Sequence, residues 1–99
     1  MALVIDPAGN EVRALARVMH WRGKHVLELG CGGGRLTLRL AKLGAARIEA
    51  RDPDQKLIET ALMSLPHRYA HRIAYHAGRA EHLEYPANTF DLVVFSWAL

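Results

Sequence analysis

The segment Val26-Leu27-Glu28-Leu29-Gly30-Cys31-Gly32-Gly33-Gly34-Arg35 decides how the rest of the chain folds. A short apolar run of strand character ends on glycines, and a helical pattern starts directly after them. Glycine lets the backbone turn sharply and approach a ligand where a β-carbon would collide. The helix that follows presents unpaired N–H groups and the positive end of its dipole, which favour a carboxylate or phosphate. Spacing separates two cofactor classes. A dinucleotide loop wants Gly-x-Gly-x-x-Gly, but the sixth position is Arg35 counting from Gly30 and Thr37 counting from Gly32. The frame that fits is an acid followed by glycines at alternate positions: Glu28, Gly30, Gly32, Gly34.

Helix and strand patterns alternate outward from this loop. Downstream, residues 35–43 read as a helix with Leu36, Leu40 and Leu43 on one face and Gly44 as its stop. Residues 47–51 read as a strand. Asp52-Pro53 reads as a helix start, with Asp as cap and Pro at the first helical position. That helix carries Leu57, Ile58, Ala61, Leu62 and Leu65 and ends before Pro66. Residues 72–77 form a third strand and 80–88 a loop. Residues 90–97 form a fourth strand whose run Leu92-Val93-Val94-Phe95 is apolar on both faces, as in a strand covered on both sides. Upstream, Asp6 or Asn10 caps a lead-in helix with Val12, Leu15, Ala16 and Met19 on one stripe, within a lead-in region spanning residues 1–23. The expected class is therefore α/β: a Rossmann-like parallel sheet with flanking helices. Ligands of such sheets sit at the carboxyl ends of the strands, where strand order reverses.

Asp52 adds a second element of the site. It ends the second strand, 22 residues after Gly30. A carboxylate there accepts hydrogen bonds from both hydroxyls of a ribose, or it only caps the helix at Pro53. The several acceptor sites of a carboxylate allow both.

Composition bounds the remaining classes. The 99 residues make at most one domain, 51% hydrophobic and 23% charged, an ordinary globular balance. The formal net charge is +3, but the basic residues are scattered without interleaved aromatics, which argues against nucleic acid as a partner. Cys31 is the only cysteine, so no intrachain disulfide forms, which suits a reducing cytoplasm. No signal peptide is visible at the start, and no apolar run approaches the roughly 20 residues needed to span a bilayer. His67 and His71 are four apart, but Pro66 precedes them and no further ligand completes a metal set. Cys31 precedes a helix N-terminus, which would lower its pKa, yet no partner base is identifiable.

Glu28 with Gly30 to Gly34, Asp52-Pro53-Asp54, Gly78-Arg79-Ala80-Glu81 and Phe90-Asp91-Leu92-Val93-Val94 resemble the class I S-adenosylmethionine-dependent methyltransferases. They look most like the group containing the ubiquinone and menaquinone methyltransferases. The resemblance covers nearly the whole chain in motif order and implies S-adenosyl-L-methionine as cofactor. It implies that Gly30, Gly32 and the Cys31 backbone line the methionine portion. It further implies that Glu28 helps hold the loop and the ammonium, that Asp52 binds the ribose hydroxyls and that Pro53 packs on the adenine. Ala80 offers a backbone amide to an adenine nitrogen, and Ser96 lies near the methionine end. Two positions depart from the pattern: Arg79 stands where many relatives have an acid, with Glu81 or a water as the substitute, and Arg51 takes a usually apolar strand position.

The family's sheet has seven strands, with the first and fourth adjacent at its centre. On that template residues 1–99 are a single partial domain, truncated after the fourth strand. The fourth strand is then expected as an exposed edge through which the chain self-associates. Methyl transfer to a small-molecule acceptor is the expected activity, with no catalytic residue identifiable. The alternative is a non-catalytic cofactor-binding module. The residues after the fourth strand, Ser96-Trp97-Ala98-Leu99, lack the Asn/Asp-Pro-Pro-aromatic motif of many nucleic-acid methyltransferases.

Overall fold

A computed structural model describes residues 2–5, 21–78 and 89–95. It contains strands β1 (Ala2–Ile5), β2 (His25–Leu29), β3 (Arg47–Asp52), β4 (Ile73–Ala77) and β5 (Leu92–Phe95). Helix α1 (Arg35–Lys42) links β2 to β3, and α2 (Gln55–Met63) links β3 to β4, followed by a 3-10 turn at His67–Tyr69. The strands form one sheet in the order β1-β5-β2-β3-β4, and all four pairings are parallel. From β2 the chain steps outward to β3 and β4, then returns to the opposite side of β2 as β5. The reversal falls between β2 and β5, so the carboxyl ends of these strands form the crevice such sheets offer to ligands.

The central strand explains why the fold holds at this size. Four of the five β2 residues are buried, and successive side chains feed opposite faces of the sheet. One face gathers Val26, Ile48, Ala50, Ile73, Leu92 and Val94 against Leu40 and Ala41 of α1 and Ile58 of α2. Val26, Leu40 and Ile48 are essentially sealed from water, each contributing about 1.5–3 kcal/mol by burial. The other face carries a smaller cluster of Leu27, Leu29, Val93 and Phe90, flanked by Phe95. Beside it, Glu49 accepts from Arg47 at 3.2 Å and pairs with His76 Nε2 at 2.7 Å. Of the apolar residues read onto α2, only Ile58 and Ala61 are buried, while Leu57 and Leu62 remain exposed.

α1 ends in a Schellman turn, with Gly44 N donating to Ala41 O and Ala45 N to Leu40 O, both at 3.1 Å. Arg72 seals the same end: its guanidinium donates to Ala41 O at 2.8 Å and its Nε to Ala45 O at 3.1 Å.

Three sequence expectations are corrected. The strand before β2 was not foreseen: Ala2–Ile5 pairs along β5 in register Ala2↔Leu92 to Ile5↔Phe95. The expected fourth strand, β5, is therefore an interior strand, and its backbone does not offer the edge on which self-association was expected. The helix expected to start at Asp52-Pro53 starts at Gln55, capped by Asp54, whose carboxylate accepts from Lys56 N at 2.9 Å and Leu57 N at 3.3 Å. The fourth strand also starts later than the sequence suggested, at Leu92 rather than residue 90, while residues 96 and 97 lie outside the described residues. The lead-in helix lies outside the described residues.

Candidate cofactor site

The glycine loop joins the end of β2 to α1 and is held from the side by β3. Gly30 N and Cys31 N both donate to Arg51 O, at 2.8 and 3.0 Å. Gly34 N closes the turn onto Cys31 O at 3.0 Å. Gly30, Gly32 and Gly34 have φ of 81°, 56° and 90°, in the left-handed region. At Gly34 a side chain is excluded twice over, by that φ and because an added Cβ would run into the Tyr75 hydroxyl. The outer surface of the loop is different. A Cβ built on Gly32 or Gly33 meets no atom within 4 Å, so open space lies directly over the backbone.

Asp52 ends β3 immediately beside this space. Its Oδ2 accepts from Gly32 N at 2.9 Å and its Oδ1 from Asp54 N at 2.8 Å. Because Asp54 takes over the helix cap, the Asp52 carboxylate braces the glycine loop. It is 8% exposed, and each oxygen keeps a second acceptor site after these bonds. Pro53 is exposed at the rim next to it.

Glu28 sits under the loop and is fully buried. Its Oε1 accepts from the hydroxyl of Thr37, which is equally buried on α1. The phenol of Tyr75 on β4 lies beside Thr37, beneath the loop. Burial pushes the Tyr75 hydroxyl up to about 12. Sequence reasoning missed both Thr37 and Tyr75. The available signal was one hydroxyl residue in the otherwise aliphatic stripe of α1, since a buried hydroxyl needs a polar partner.

Cys31 is buried, and its Sγ contacts Gly32 O at 3.8 Å. Burial, followed by the nearby charges of Glu28 and Asp52, pushes its thiol far above the ordinary range. Burial thus outweighs the helix N-terminus, and Cys31 serves the loop through its backbone. Arg51 is half-buried, and its carbonyl is the loop's anchor. Its polar side chain is tolerated because it lies on the sheet face shared with Glu49 and His76. Among the described residues, no group of three or more His, Cys, Asp or Glu gathers to hold a metal. Likewise no described helix is long and apolar enough to cross a membrane. Arg79, Ala80, Glu81 and Ser96 lie outside the described residues.

A glycine loop at the switch point, with an acid closing the neighbouring strand, defines an α/β cofactor-binding domain. Residues 26–99 match the family model for the methyltransferase domain. The chain belongs to this family, the class I S-adenosylmethionine-dependent methyltransferases, and corresponds to their N-terminal part. It is 38% identical over 73 residues to the ubiquinone biosynthesis O-methyltransferase of Neisseria meningitidis serogroup C, covering 73% of this chain and 31% of that protein. It is 32% identical over 76 residues to a ribosomal protein arginine N-methyltransferase of Schizosaccharomyces pombe, covering 76% of this chain and 14% of that protein. Among solved structures it resembles the Haemonchus contortus phosphoethanolamine N-methyltransferase 1 in complex with phosphoethanolamine and S-adenosylhomocysteine. There the TM-score is 0.74 at 31% identity, covering 92% of this chain and 19% of that one. The chain thus spans less than a third of the length of these relatives.

Proposed function

We propose that this chain is the cofactor-binding part of a methyltransferase that acts on a small-molecule acceptor, with Asp52 taking the ribose hydroxyls of S-adenosylmethionine. The observation that carries the reading is the placement of Asp52: a braced, nearly buried carboxylate with spare acceptor sites, beside open space over Gly32 and Gly33. A rigid anionic acceptor at a strand end suits a vicinal diol, because its two oxygens match two hydroxyl donors.

The residues divide the work by position. Gly30, Gly32 and the Cys31 backbone let the methionine portion lie against the main chain. Glu28 holds the loop from below through Thr37, and its charge favours a cation above. Pro53 supplies an apolar rim for the adenine. By resemblance, Ala80 gives a backbone amide to the adenine, Arg79 and Glu81 flank it, and Ser96 lies at the methionine end. The bound cofactor supplies a methyl carbon already activated by a sulfonium. What remains for protein residues is to align acceptor, methyl and leaving sulfur. A general base is needed only where the acceptor holds a proton that must leave.

The small-molecule reading is supported by the quinone-pathway and phosphoethanolamine relatives, while the arginine methyltransferase relative marks the protein-directed alternative. Calorimetric titration of the 99-residue chain with S-adenosylhomocysteine tests the cofactor site, with NAD and Asp52→Ala as controls. Saturable binding that Asp52→Ala weakens, without an NAD response, is the expected result. A folded chain that fails to bind rejects the reading.

A further inference from the structure

A chain of polar groups from three different elements runs beneath the glycine loop. Tyr75 comes from β4, Thr37 from the first turn of α1 and Glu28 from the end of β2. Thr37 gives its hydroxyl hydrogen to Glu28, and the Tyr75 phenol lies beside this pair. The same phenol also occupies the space that a side chain on Gly34 would need, with Ala61 closing the other side. Gly34 is the residue on which α1 begins, and its N–H fixes the turn through Cys31 O. One hydroxyl thus touches both the floor and the hinge of the loop.

We propose that Tyr75 is a positioning residue for the cofactor loop: packed against Gly34 beside the Thr37–Glu28 pair, it holds the loop in the shape that presents Gly32 and Gly33 to the ligand. Remove the phenol oxygen and Gly34 gains room to move. The backbone bonds from Gly30 and Cys31 to Arg51 and from Gly32 to Asp52 then open more often. Ligand affinity falls because the binding-competent loop is less populated.

The inference rests on the cofactor-binding reading, and its test separates the two. S-adenosylhomocysteine affinity is measured by calorimetry for the 99-residue chain and for Tyr75→Phe, Thr37→Val and Thr37→Ser. Amide hydrogen exchange at Gly30, Cys31 and Gly32 is followed in the free proteins. The expected result is binding weakened about 5- to 10-fold in Tyr75→Phe, the scale of about 1 kcal/mol. Faster loop exchange accompanies it. Thr37→Ser, which keeps the hydroxyl bonded to Glu28, stays within about twofold of the parent, whereas Thr37→Val, which removes it, weakens binding. Arg72→Gln serves as a structural control: it lowers Tm without changing loop exchange or affinity. If the parent binds and both Tyr75→Phe and Thr37→Val bind equally well with unchanged exchange, the proposal is overturned and the cofactor site stands. If the folded parent does not bind, the cofactor reading fails and the proposal fails with it.

Discussion

Replacing Gly34 with alanine tests the packing beneath the loop through stability alone. Two costs add at this position. A φ of 90° costs an L-residue about 1–2 kcal/mol. The new methyl group would also overlap the Tyr75 hydroxyl, lie 3.1 Å from Tyr75 Cζ and lie 3.3 Å from Ala61 Cβ, and overpacking of this kind costs about 1–3 kcal/mol. Tyr75 does not swing aside freely, because its ring is packed against the main core cluster. The sum is about 2–5 kcal/mol, a large share of the stability of a small domain. Urea denaturation of the single variants and of Gly34→Ala/Tyr75→Phe separates the two costs. Without the phenol oxygen the steric part is largely relieved and the backbone part remains. Gly34→Ala should then cost about 1–2 kcal/mol in the Tyr75→Phe background, a coupling of about 2 kcal/mol. An equal cost in both backgrounds would mean that backbone strain acts alone and that Tyr75 is not seated under Gly34.

Three further outcomes follow from the described contacts. Asp52→Asn leaves one amide nitrogen facing a backbone N–H of Gly32 or Asp54, so thermal unfolding should show a loss of about 1.5–3 kcal/mol, with faster exchange at Gly32; unchanged protection there would sink the bracing role. Arg72→Gln removes the donors that seal Ala41 O and Ala45 O and should cost about 1–3 kcal/mol, or about 5–20 °C in Tm by calorimetry. Alkaline stability supplies the third. The Tyr75 pKa is raised by folding, so its contribution is fully present below the unfolded value of 10.0 and is lost as pH rises towards about 12. Tyr75→Phe should flatten the fall in urea midpoint across that window, and an identical alkaline slope in parent and variant would contradict the burial of the phenol.

What the sequence displayed was whatever a local pattern encodes. The alternating glycines after Glu28, the stop at Gly44 and the apolar run at Leu92 to Phe95 each follow from backbone freedom or a burial period, and each stands where the pattern put it. What it hid was long-range. Thr37 and Glu28 are nine residues apart and meet only because α1 folds back over β2. Tyr75 on β4 reaches Gly34 although α1, β3 and α2 lie between them in the chain, which no spacing rule encodes. Ala2–Ile5 is four apolar residues, too short to tell from a lead-in segment until β5 offers it a register. Arg72 looked like one more scattered cation, yet its value lies in two carbonyls from another helix end.

The Asp52-Pro53-Asp54 triplet shows how a local ambiguity becomes a functional feature. Both aspartates are good caps, and a proline at the first helical position favours the earlier one. β3, however, continues through Asp52, because its backbone stays paired in register with Ala77 of β4. A residue held in a strand is too far from the first helical turn to cap it, so the duty passes to Asp54, whose extended φ of −86° and ψ of 105° suit a cap. One Asp52 oxygen takes the N–H of Asp54, and the other is thereby left for Gly32 on the neighbouring loop. Sheet pairing, not helix propensity, thus leaves a braced anion at the strand end, and the glycine loop takes its shape from the same carboxylate that we assign to the ligand.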